Sequence, residues 1–295
     1  MKRPIWKVRK LKSQKEFLNY SHKAFSPGSA TMFFIPNQEE DILKRGSRGV
    51  AICLETGITT KIEQSDSMDI RFNGIPIDNS IQEEVAKMLK FTGRIFSYSD
   101  LPPSSGFGLS AGAALTTGAA IMGNDAMSGE IYQMSHKIEI ERGTGLGDVQ
   151  SQMTGGFHVR VKGGCFPYSL TEKILEAPTE LLILPFKKKT PTGEVIQSPS
   201  SVEEIITNGR RAYTNFMKKP TLKNAFVLGR KFALDSNLVS PKARKILDDL
   251  ANEVASVSLI GDSIISVFSE ESLDVLRKYG DPIRTKISAT GLTLG

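Results

Sequence analysis

A glycine-rich segment leads directly into a run of small residues, and this combination constrains the fold more than any other part of the sequence. The segment Leu101–Gly112 has glycine at 106, 108 and 112, and small residues predominate up to Met122. A loop that opens a helix in this way directs backbone N–H groups and the positive helix end toward one point, which favours a bound phosphate. Ser110, at the expected helix entrance, can offer its hydroxyl to Mg²⁺ or cap the helix. The structural alternative is close helix packing through the small residues.

Two other nucleotide-binding patterns fit this segment poorly. Gly106-x-Gly108-x-x-Ala111 matches a degenerate dinucleotide fingerprint, but that fingerprint follows a buried strand. Pro102 and Pro103 cannot donate hydrogen bonds within such a strand. No Gly-Lys-Ser or Gly-Lys-Thr follows the glycines, so the segment is not an ordinary P-loop.

A second glycine loop, Gly143–Asp148, has glycine at every other position and ends in an acidic residue. Such a loop is entropically costly to order, which suits a backbone that wraps tightly around a ligand. Asp148 is a candidate base for a substrate hydroxyl, and equally a candidate cap for a helix at 149–153. Glu139, at the end of the preceding helix, is a candidate oxygen ligand for Mg²⁺, although most glutamates lie in solvent.

Two further side chains near the second loop have the chemistry to contact a substrate. His136 lies one helical turn before Glu139 on the same face, and is either a substrate contact or a half-exposed helix residue. Arg160, in the strand that follows, can bind a carboxylate as a bidentate fork or simply face solvent. The sequence has three histidines, none with the spacing of zinc ligands, so a zinc site is not expected.

The positive charge of the chain belongs to its first residues. Of the 38 basic residues seven lie in 1–15, where there is no acidic residue, which leaves 31 basic against 32 acidic ones in the rest of the chain. A nucleic-acid groove spreads Lys and Arg over a folded face, so we expect no nucleic-acid partner and interpret residues 1–20 as a basic extension. Two cysteines and the lack of an apolar run of about 18 residues indicate a cytoplasmic protein without a membrane partner.

Strand and helix patterns are mixed without strict alternation, which favours an α+β fold over a doubly wound parallel sheet. Residues 49–62 are predicted as two strands joined by a turn at Glu55–Gly57, and residues 241–257 as one helix. A boundary near 163–168 divides the body into domains at 21–164 and 165–295. The other predicted elements are strands at 156–161, 181–185, 264–268 and 283–287, and helices at 81–91, 111–122, 128–139, 201–218, 222–234 and 272–279.

Together the two loops resemble the signature of the GHMP small-molecule kinases, a family with a two-lobed α+β fold. A Pro-x-x-x-Gly-x-Gly-x-Ser loop, an acidic residue and a Gly-x-Gly-x-Gly-Asp loop follow one another in that order. Within the family the chain is similar to the archaeal pantoate kinases. The similarity is strong over roughly 22–164 and faint beyond. The segments that carry it are 25–31, 33–34, 46–49, 57–60, 101–114, 135–139, 143–149 and 155–156.

The resemblance implies ATP and Mg²⁺ as cofactors and assigns roles position by position. Ser110 and Glu139 would hold Mg²⁺, and Asp148 would act on the acceptor hydroxyl. The acceptor pocket would contain Thr31, His136, Arg160 and Thr190. The nucleotide contacts would be Pro103, Gly106, Phe107, Gly108, Leu109, Ser110, Ala111 and Gly112.

The reaction that the resemblance implies is phosphorylation of the primary hydroxyl of pantoate to 4-phosphopantoate, a step toward coenzyme A. A homodimer is a candidate assembly, since it is the commonest closed one. Two alternatives remain: a GHMP kinase for mevalonate, homoserine or a sugar, and an ATP-binding regulator without turnover. The chain departs from the family at Leu109, where the family has serine. It departs again at Ser29, where many members carry Lys and pantoate kinases tend to carry His.

Overall fold

A computed structural model of the chain describes residues 22–186 and 199–295, which form two β-sheets with helices packed around them. The strands are β1 (Lys23–Asn37), β2 (Gly46–Gln64), β3 (Asp69–Phe72), β4 (Ile75–Pro76), β5 (Gly93–Tyr98), β6 (Phe157–Lys162), β7 (Leu170–Ile174), β8 (Glu180–Leu184), β9 (Ala255–Ser258), β10 (Ser263–Val267), β11 (Ile283–Lys286) and β12 (Thr293–Leu294). The helices are α1 (Ile81–Met88), α2 (Leu109–Met122), α3 (Ser128–Arg142), α4 (Asp148–Thr154), α5 (Pro199–Lys218), α6 (Leu222–Asp235), α7 (Pro241–Asp249) and α8 (Glu270–Arg277), with a short 3₁₀ helix at Gly123–Asp125.

The first sheet is built on β1 and β2, two long antiparallel strands. Its order is β12-β1-β2-β5-β3-β4, while β6 pairs with an earlier stretch of β2 and β7 pairs with β6. Within this sheet β3 and β5 run parallel, and the other pairs are antiparallel. The second sheet has the order β11-β8-β10-β9 and is antiparallel throughout.

The turn predicted at Glu55–Gly57 is wrong, because β2 continues through it as one strand. The pairing register shifts between Pro27 and Gly28 of β1, which leaves Glu55 and Thr56 as extra residues in a bulge. A bulge bends and twists a strand without ending its ladder. A glycine between two apolar runs is compatible with both a turn and a bulge, so the sequence pattern did not separate them.

A second bulge in β1 decides which side chains share a face. The register shifts by one residue between Thr31 and Phe33, so Met32 is extra. Side chains alternate along a strand, and the extra residue therefore brings Phe34, rather than Phe33, onto the face that carries Thr31. Phe33 faces the opposite side, where its ring packs on Phe216 of α5.

Three residues on the face of Thr31 form a row across neighbouring strands. Phe34 of β1 pairs with Gly49 of β2, and Gly49 pairs with Arg160 of β6. Gly49 has φ of +152°, and a Cβ there would lie 2.2 Å from the Phe33 carbonyl oxygen, so the site accepts only glycine. The row thus places two large side chains on either side of a position that has none.

Helices α1 to α4 cover this face of the first sheet, and α2 lies closest to it. A Cβ at Gly112 would lie only 2.6 Å from Ile58 Cγ2, which shows how tightly the helix packs. Beneath it, the hydroxyls of Thr60, Ser97 and Thr116 hydrogen-bond to one another at 2.7 and 2.8 Å. The small residues of α2 therefore serve close packing, in addition to following the glycine loop.

The other face of the first sheet shares one apolar core with the second sheet and the C-terminal helices. Phe33 and Phe157 from the first sheet both pack edge to face against Phe216 of α5, with ring centroids 5.8 and 6.0 Å apart. Phe216 is completely buried, so its ring joins β1 and β6 to the helical layer.

The helix predicted at 241–257 is wrong in its second half, since α7 ends at Asp249 and residues 255–258 form β9. All four residues of β9 are buried, so the strand lacks the exposed positions whose periodicity separates strands from helices. The α+β class is confirmed, and the other predicted helices and strands lie within a few residues of the observed bounds. Strands β1, β3, β4, β5, β7 and β12 were not predicted.

The division at residue 164 stays a prediction, and the first sheet includes two strands from beyond it, β7 and β12. Across 22–186 and 199–295, no helix is both long enough and apolar enough to cross a membrane.

The core position of Phe216 makes it a sensitive point for stability. Truncation to alanine should lower the free energy of unfolding by about 3–5 kcal/mol, because it leaves a cavity between two sheet phenylalanines. Met217, the next residue of the same helix, is half exposed, and Met217→Ala should change stability by about 0.5 kcal/mol or less. Urea unfolding of both variants is the measurement. Equal losses would show that the described core packing is wrong.

Candidate active site

A cavity of about 860 Å³ lies where the two glycine loops meet β1. Its walls are the first loop with the start of α2, the end of α3 with the second loop, β1, and the turn between β9 and β10. Most side chains with a predicted role are in this wall. They are Thr31, Pro103, Gly106, Phe107, Gly108, Leu109, Ser110, Glu139, Asp148 and Arg160.

The first glycine loop presents the N-terminal end of α2 to the cavity. Gly106 and Gly108 have φ of +82° and +66°, in the left-handed region that favours glycine. Gly108 is the N-cap, without a side-chain hydrogen bond, and Ser110 is the second residue of the helix. Ser110 is therefore not the cap, and the backbone N–H groups of the first turn are left for an anion.

A turn from the C-terminal half fixes this loop in place. The Ser258 hydroxyl donates to the Gly106 carbonyl oxygen, and the Ser263 hydroxyl donates to the Ser105 carbonyl oxygen, both at 2.6 Å. Leu259, between these serines, lines the cavity. The loop conformation thus depends on residues more than 150 positions later in the chain.

Glu139 is buried, so the solvated alternative is wrong for this residue. Its Oε1 accepts hydrogen bonds from the hydroxyl of Ser110 and, at 2.7 Å, from that of Thr144. Burial raises the pKa of the Glu139 carboxyl to about 7; the two hydroxyls act to lower it and the charge of Asp148 to raise it. The carboxyl therefore changes charge near neutral pH unless a bound cation keeps it ionised.

Asp148 begins α4 as its first residue, outside the cap position. The Ser29 hydroxyl donates to Asp148 Oδ1 at 2.6 Å. Burial raises the pKa of the Asp148 carboxyl, whereas the Ser29 hydrogen bond and the charge of Arg160 lower it. One helical turn later, the Gln152 amide donates to the Gly108 carbonyl oxygen at 2.8 Å. Helix α4 therefore holds the two glycine loops in a fixed relation.

Glycines in the second loop let its backbone press against charged side chains. A Cβ at Gly145 would lie 2.7 Å from Glu139 Oε2 and 3.3 Å from Asp148 Oδ2. A Cβ at Gly147 would lie 2.7 Å from Arg160 Nε. A larger residue at either position would push a charged group out of place, which agrees with the tight wrapping expected from the sequence.

Arg160 is buried beside the cavity, so the solvent-facing alternative is wrong here too. Its guanidinium donates to the carbonyl oxygen and the hydroxyl of Ser47, both at 3.3 Å, and to the Ser151 hydroxyl at 2.7 Å. These acceptors are all neutral. Among the residues that the structure describes, no carboxylate contacts this buried positive charge. The site therefore favours an anionic ligand, because such a ligand would offset the cost of desolvation.

Three residues with predicted roles lie outside the cavity wall. His136 is buried, and its Nε2 lies 3.0 Å from the Ile42 carbonyl oxygen; burial lowers the pKa of the imidazole. Ala111 and Gly112 are buried in α2 and contribute to its packing against the sheet. Thr190 lies outside the described residues.

The structure adds hydroxyl groups to which the sequence assigned no role. Thr144 lies in the second loop only five positions after Glu139, so the sequence spacing could have indicated that its hydroxyl contacts this predicted metal ligand. Ser29 was noted for the basic residue that it replaces, not as a donor to Asp148. Ser47 had no local signal, since its partner Arg160 is 113 positions away.

The chain is similar to known kinases in sequence and in fold. Residues 79–156, which contain both glycine loops, match the GHMP kinases N terminal domain family. A pantoate kinase of Methanocaldococcus jannaschii is 31% identical over 267 residues, with 88% of this chain and 97% of that protein covered. A pantoate kinase of Thermococcus kodakarensis is 30% identical over 271 residues, with 85% and 89% covered. A solved structure described as a phosphotransferase related to the CoA biosynthesis pathway has a TM-score of 0.82 at 27% identity, over 94% of this chain and 99% of that one.

The raised pKa of Glu139 makes a prediction about stability. Because this pKa is higher in the folded chain, wild type should lose stability relative to Glu139→Gln as pH rises from the ordinary value of 4.5 to about 7. The loss should be on the order of 3 kcal/mol, from about 1.4 kcal/mol per pKa unit. Urea unfolding of both proteins at pH 4.5, 6 and 8, without nucleotide or divalent metal, measures it. A stability difference that does not change with pH would contradict the raised pKa of this buried carboxyl.

Proposed function

The chain belongs to the pantoate kinase family of GHMP kinases, and from this premise we propose that it transfers the γ-phosphoryl group of ATP to the primary hydroxyl of pantoate. The products are 4-phosphopantoate and ADP, in a step of coenzyme A biosynthesis. One observation carries the proposal: the half-buried carboxylate of Asp148 and the buried guanidinium of Arg160, which contacts no carboxylate within the described residues, share a cavity with the N-terminus of α2. A hydroxy acid that accepts a phosphoryl group needs these three elements.

The first glycine loop is the proposed site of the ATP phosphates. The uncapped first turn of α2 supplies backbone N–H groups and the positive end of the helix, which together attract phosphate oxygens. Pro103 and the loop residues that follow it line the same wall. Elsewhere the cavity wall is apolar, with Phe72, Ile77 and Ile81, and this part suits the nucleobase.

Ser110 and Glu139 are the proposed protein ligands of Mg²⁺. Both offer oxygen atoms, which this ion prefers, and they already meet at one hydrogen bond on the cavity wall. Nowhere in 22–186 or 199–295 do three or more His, Cys, Asp or Glu residues gather into a metal-binding group. A site with one carboxylate and one hydroxyl fits an ion that takes its other ligands from ATP phosphates and water. When bound, Mg²⁺ neutralises phosphate charge, and it would favour the ionised form of Glu139.

Arg160 and Asp148 are proposed to hold the acceptor from two ends. The Arg160 guanidinium binds the carboxylate of pantoate, and its neutral partners leave its charge for that purpose. Asp148 faces the primary hydroxyl and takes its proton as that oxygen bonds to the γ-phosphorus and the bond to the ADP oxygen breaks. The Ser29 hydroxyl donates a hydrogen bond to Asp148 Oδ1, so Oδ2 is the oxygen that receives the proton of the acceptor hydroxyl. Thr31 lines the same cavity.

Other proposals from the sequence stand differently. His136 is not included among the acceptor contacts, because its ring is held at the Ile42 carbonyl oxygen, outside the cavity wall. Thr190, the homodimer and the cytoplasmic location stay predictions. A regulator without turnover is the less favoured alternative, since Ser110, Glu139 and Asp148 all meet at one cavity.

Asp148→Asn tests the proposed role in proton transfer. With Mg-ATP and pantoate, kcat should fall by about 10²–10⁴-fold, because the amide cannot accept the proton. The KM for ATP should stay near the wild-type value, since the phosphates lie on the other loop. Asp274→Asn, at an exposed position of α8, is the matched control and should keep full activity. A near-normal kcat for the Asp148 variant would contradict its role.

A further inference from the structure

We propose that Phe34 is a specificity-determining residue, whose ring forms the apolar wall against the two methyl groups of pantoate. The inference rests on the proposed function, because it takes pantoate as the acceptor. It goes further by assigning to one side chain the recognition of the pantoate carbon that carries the two methyl groups. The observations behind it are the row of Phe34, Gly49 and Arg160 across the first sheet and the place of that row in the cavity.

The row of Phe34, Gly49 and Arg160 forms a shallow gap that is apolar on the side of Phe34 and positively charged on the side of Arg160. Neighbouring strands lie about 4.8 Å apart, so the Phe34 and Arg160 backbones, two strands apart, are separated by roughly 10 Å. Gly49 puts no side chain between them, since a Cβ there would lie 2.2 Å from the Phe33 carbonyl oxygen. Directly paired residues project to the same side of a sheet, so the ring and the guanidinium both stand on the cavity face. Both line the cavity.

Phe34 is held rigidly enough to discriminate shape. Its ring packs edge to face on Phe232 of α6, with centroids 5.6 Å apart, and only 5% of the residue is exposed. Leu259 continues the apolar wall beside it, and its N–H donates to the Thr31 carbonyl oxygen at 3.2 Å. The bulge at Met32 is what brings the Phe34 ring, instead of that of Phe33, to this face.

Pantoate has the chemistry that this gap requires. It carries a carboxylate at one end, a primary hydroxyl at the other, and between them a carbon with two methyl groups. With the carboxylate on Arg160 and the hydroxyl at Asp148, the methyl groups are the apolar part of the substrate that needs a dry surface. In an apolar pocket, one methyl or methylene group changes kcat/KM by about 10–200-fold. The loss of both methyl groups should therefore be costly.

The experiment compares two acceptors on three proteins. The acceptors are pantoate and 2,4-dihydroxybutanoate, which keeps the carboxylate and both hydroxyls and lacks the two methyl groups. The proteins are wild type, Phe34→Leu and Phe33→Leu, the last being a buried phenylalanine at the next position on the opposite face. Wild type should prefer pantoate in kcat/KM by at least about tenfold. Phe34→Leu should lose most of this preference through a higher KM for pantoate, and Phe33→Leu should keep it even if its stability falls.

The possible outcomes separate this inference from the function beneath it. Turnover of neither acceptor by wild type would overturn the proposed function itself. The role of Phe34 would be overturned if Phe34→Leu kept the wild-type preference for pantoate over 2,4-dihydroxybutanoate. It would also be overturned if Phe33→Leu lost as much of this preference as Phe34→Leu. Either result would leave the proposed function standing. If Phe34→Leu does not fold, the test uses wild type alone. Its kcat/KM is then compared for pantoate, for 2,4-dihydroxybutanoate and for an acceptor that carries one methyl group. A stepwise gain in kcat/KM with each methyl group supports the apolar wall, and no gain overturns it.

Discussion

The placement of the buried Glu139 and Arg160 and the half-buried Asp148 around one cavity is the constraint on which the rest of the structure depends. Charged groups removed from water are costly unless hydrogen bonds or opposite charges compensate them. Here serine and threonine hydroxyls contact all three, and within 22–186 and 199–295 no carboxylate contacts the guanidinium. The cavity therefore keeps two acidic groups and one basic group that a metal ion, a hydroxyl and a carboxylate can each engage.

Backbone geometry supplies what this arrangement needs. Glycines at 145 and 147 bring the second loop against all three charged side chains, and glycines at 106 and 108 turn the first loop into the start of α2. Hydrogen bonds from Gln152 and from the turn after β9 fix the first loop to α4 and to the C-terminal half. The two bulges of β1 and β2 set the register that determines which side chains of the sheet reach the cavity. The site is thus a product of the whole fold.

Local sequence patterns were sufficient for the features that arise locally. The two glycine loops, the helices that they begin and the positions of Ser110, Glu139 and Asp148 follow from spacing within about fifty residues. The bulge at Glu55 and the strand at 255–258 were missed, because a glycine or a wholly buried segment has more than one structural reading.

Contacts over long sequence distances were not predictable in the same way. The resemblance to the family implied a place for His136 in the acceptor pocket, whereas its ring nitrogen lies at the Ile42 carbonyl oxygen, a contact across 94 positions. Ser29 contacts Asp148 across 119 positions, and Ser47 contacts Arg160 across 113. Such partners meet only through strand pairing, which no local pattern specifies.

Release of ADP from Mg-ATP, measured in parallel with pantoate, mevalonate, homoserine and galactose, tests the central claim most directly. The fold and the phosphate loop are common to kinases of all these acceptors, so only the acceptor end of the cavity separates them. We expect turnover with pantoate and none above background with the other three. Turnover with another acceptor and not with pantoate would contradict the roles given to Arg160 and Phe34, while no turnover with any acceptor despite ATP binding would contradict the kinase activity itself.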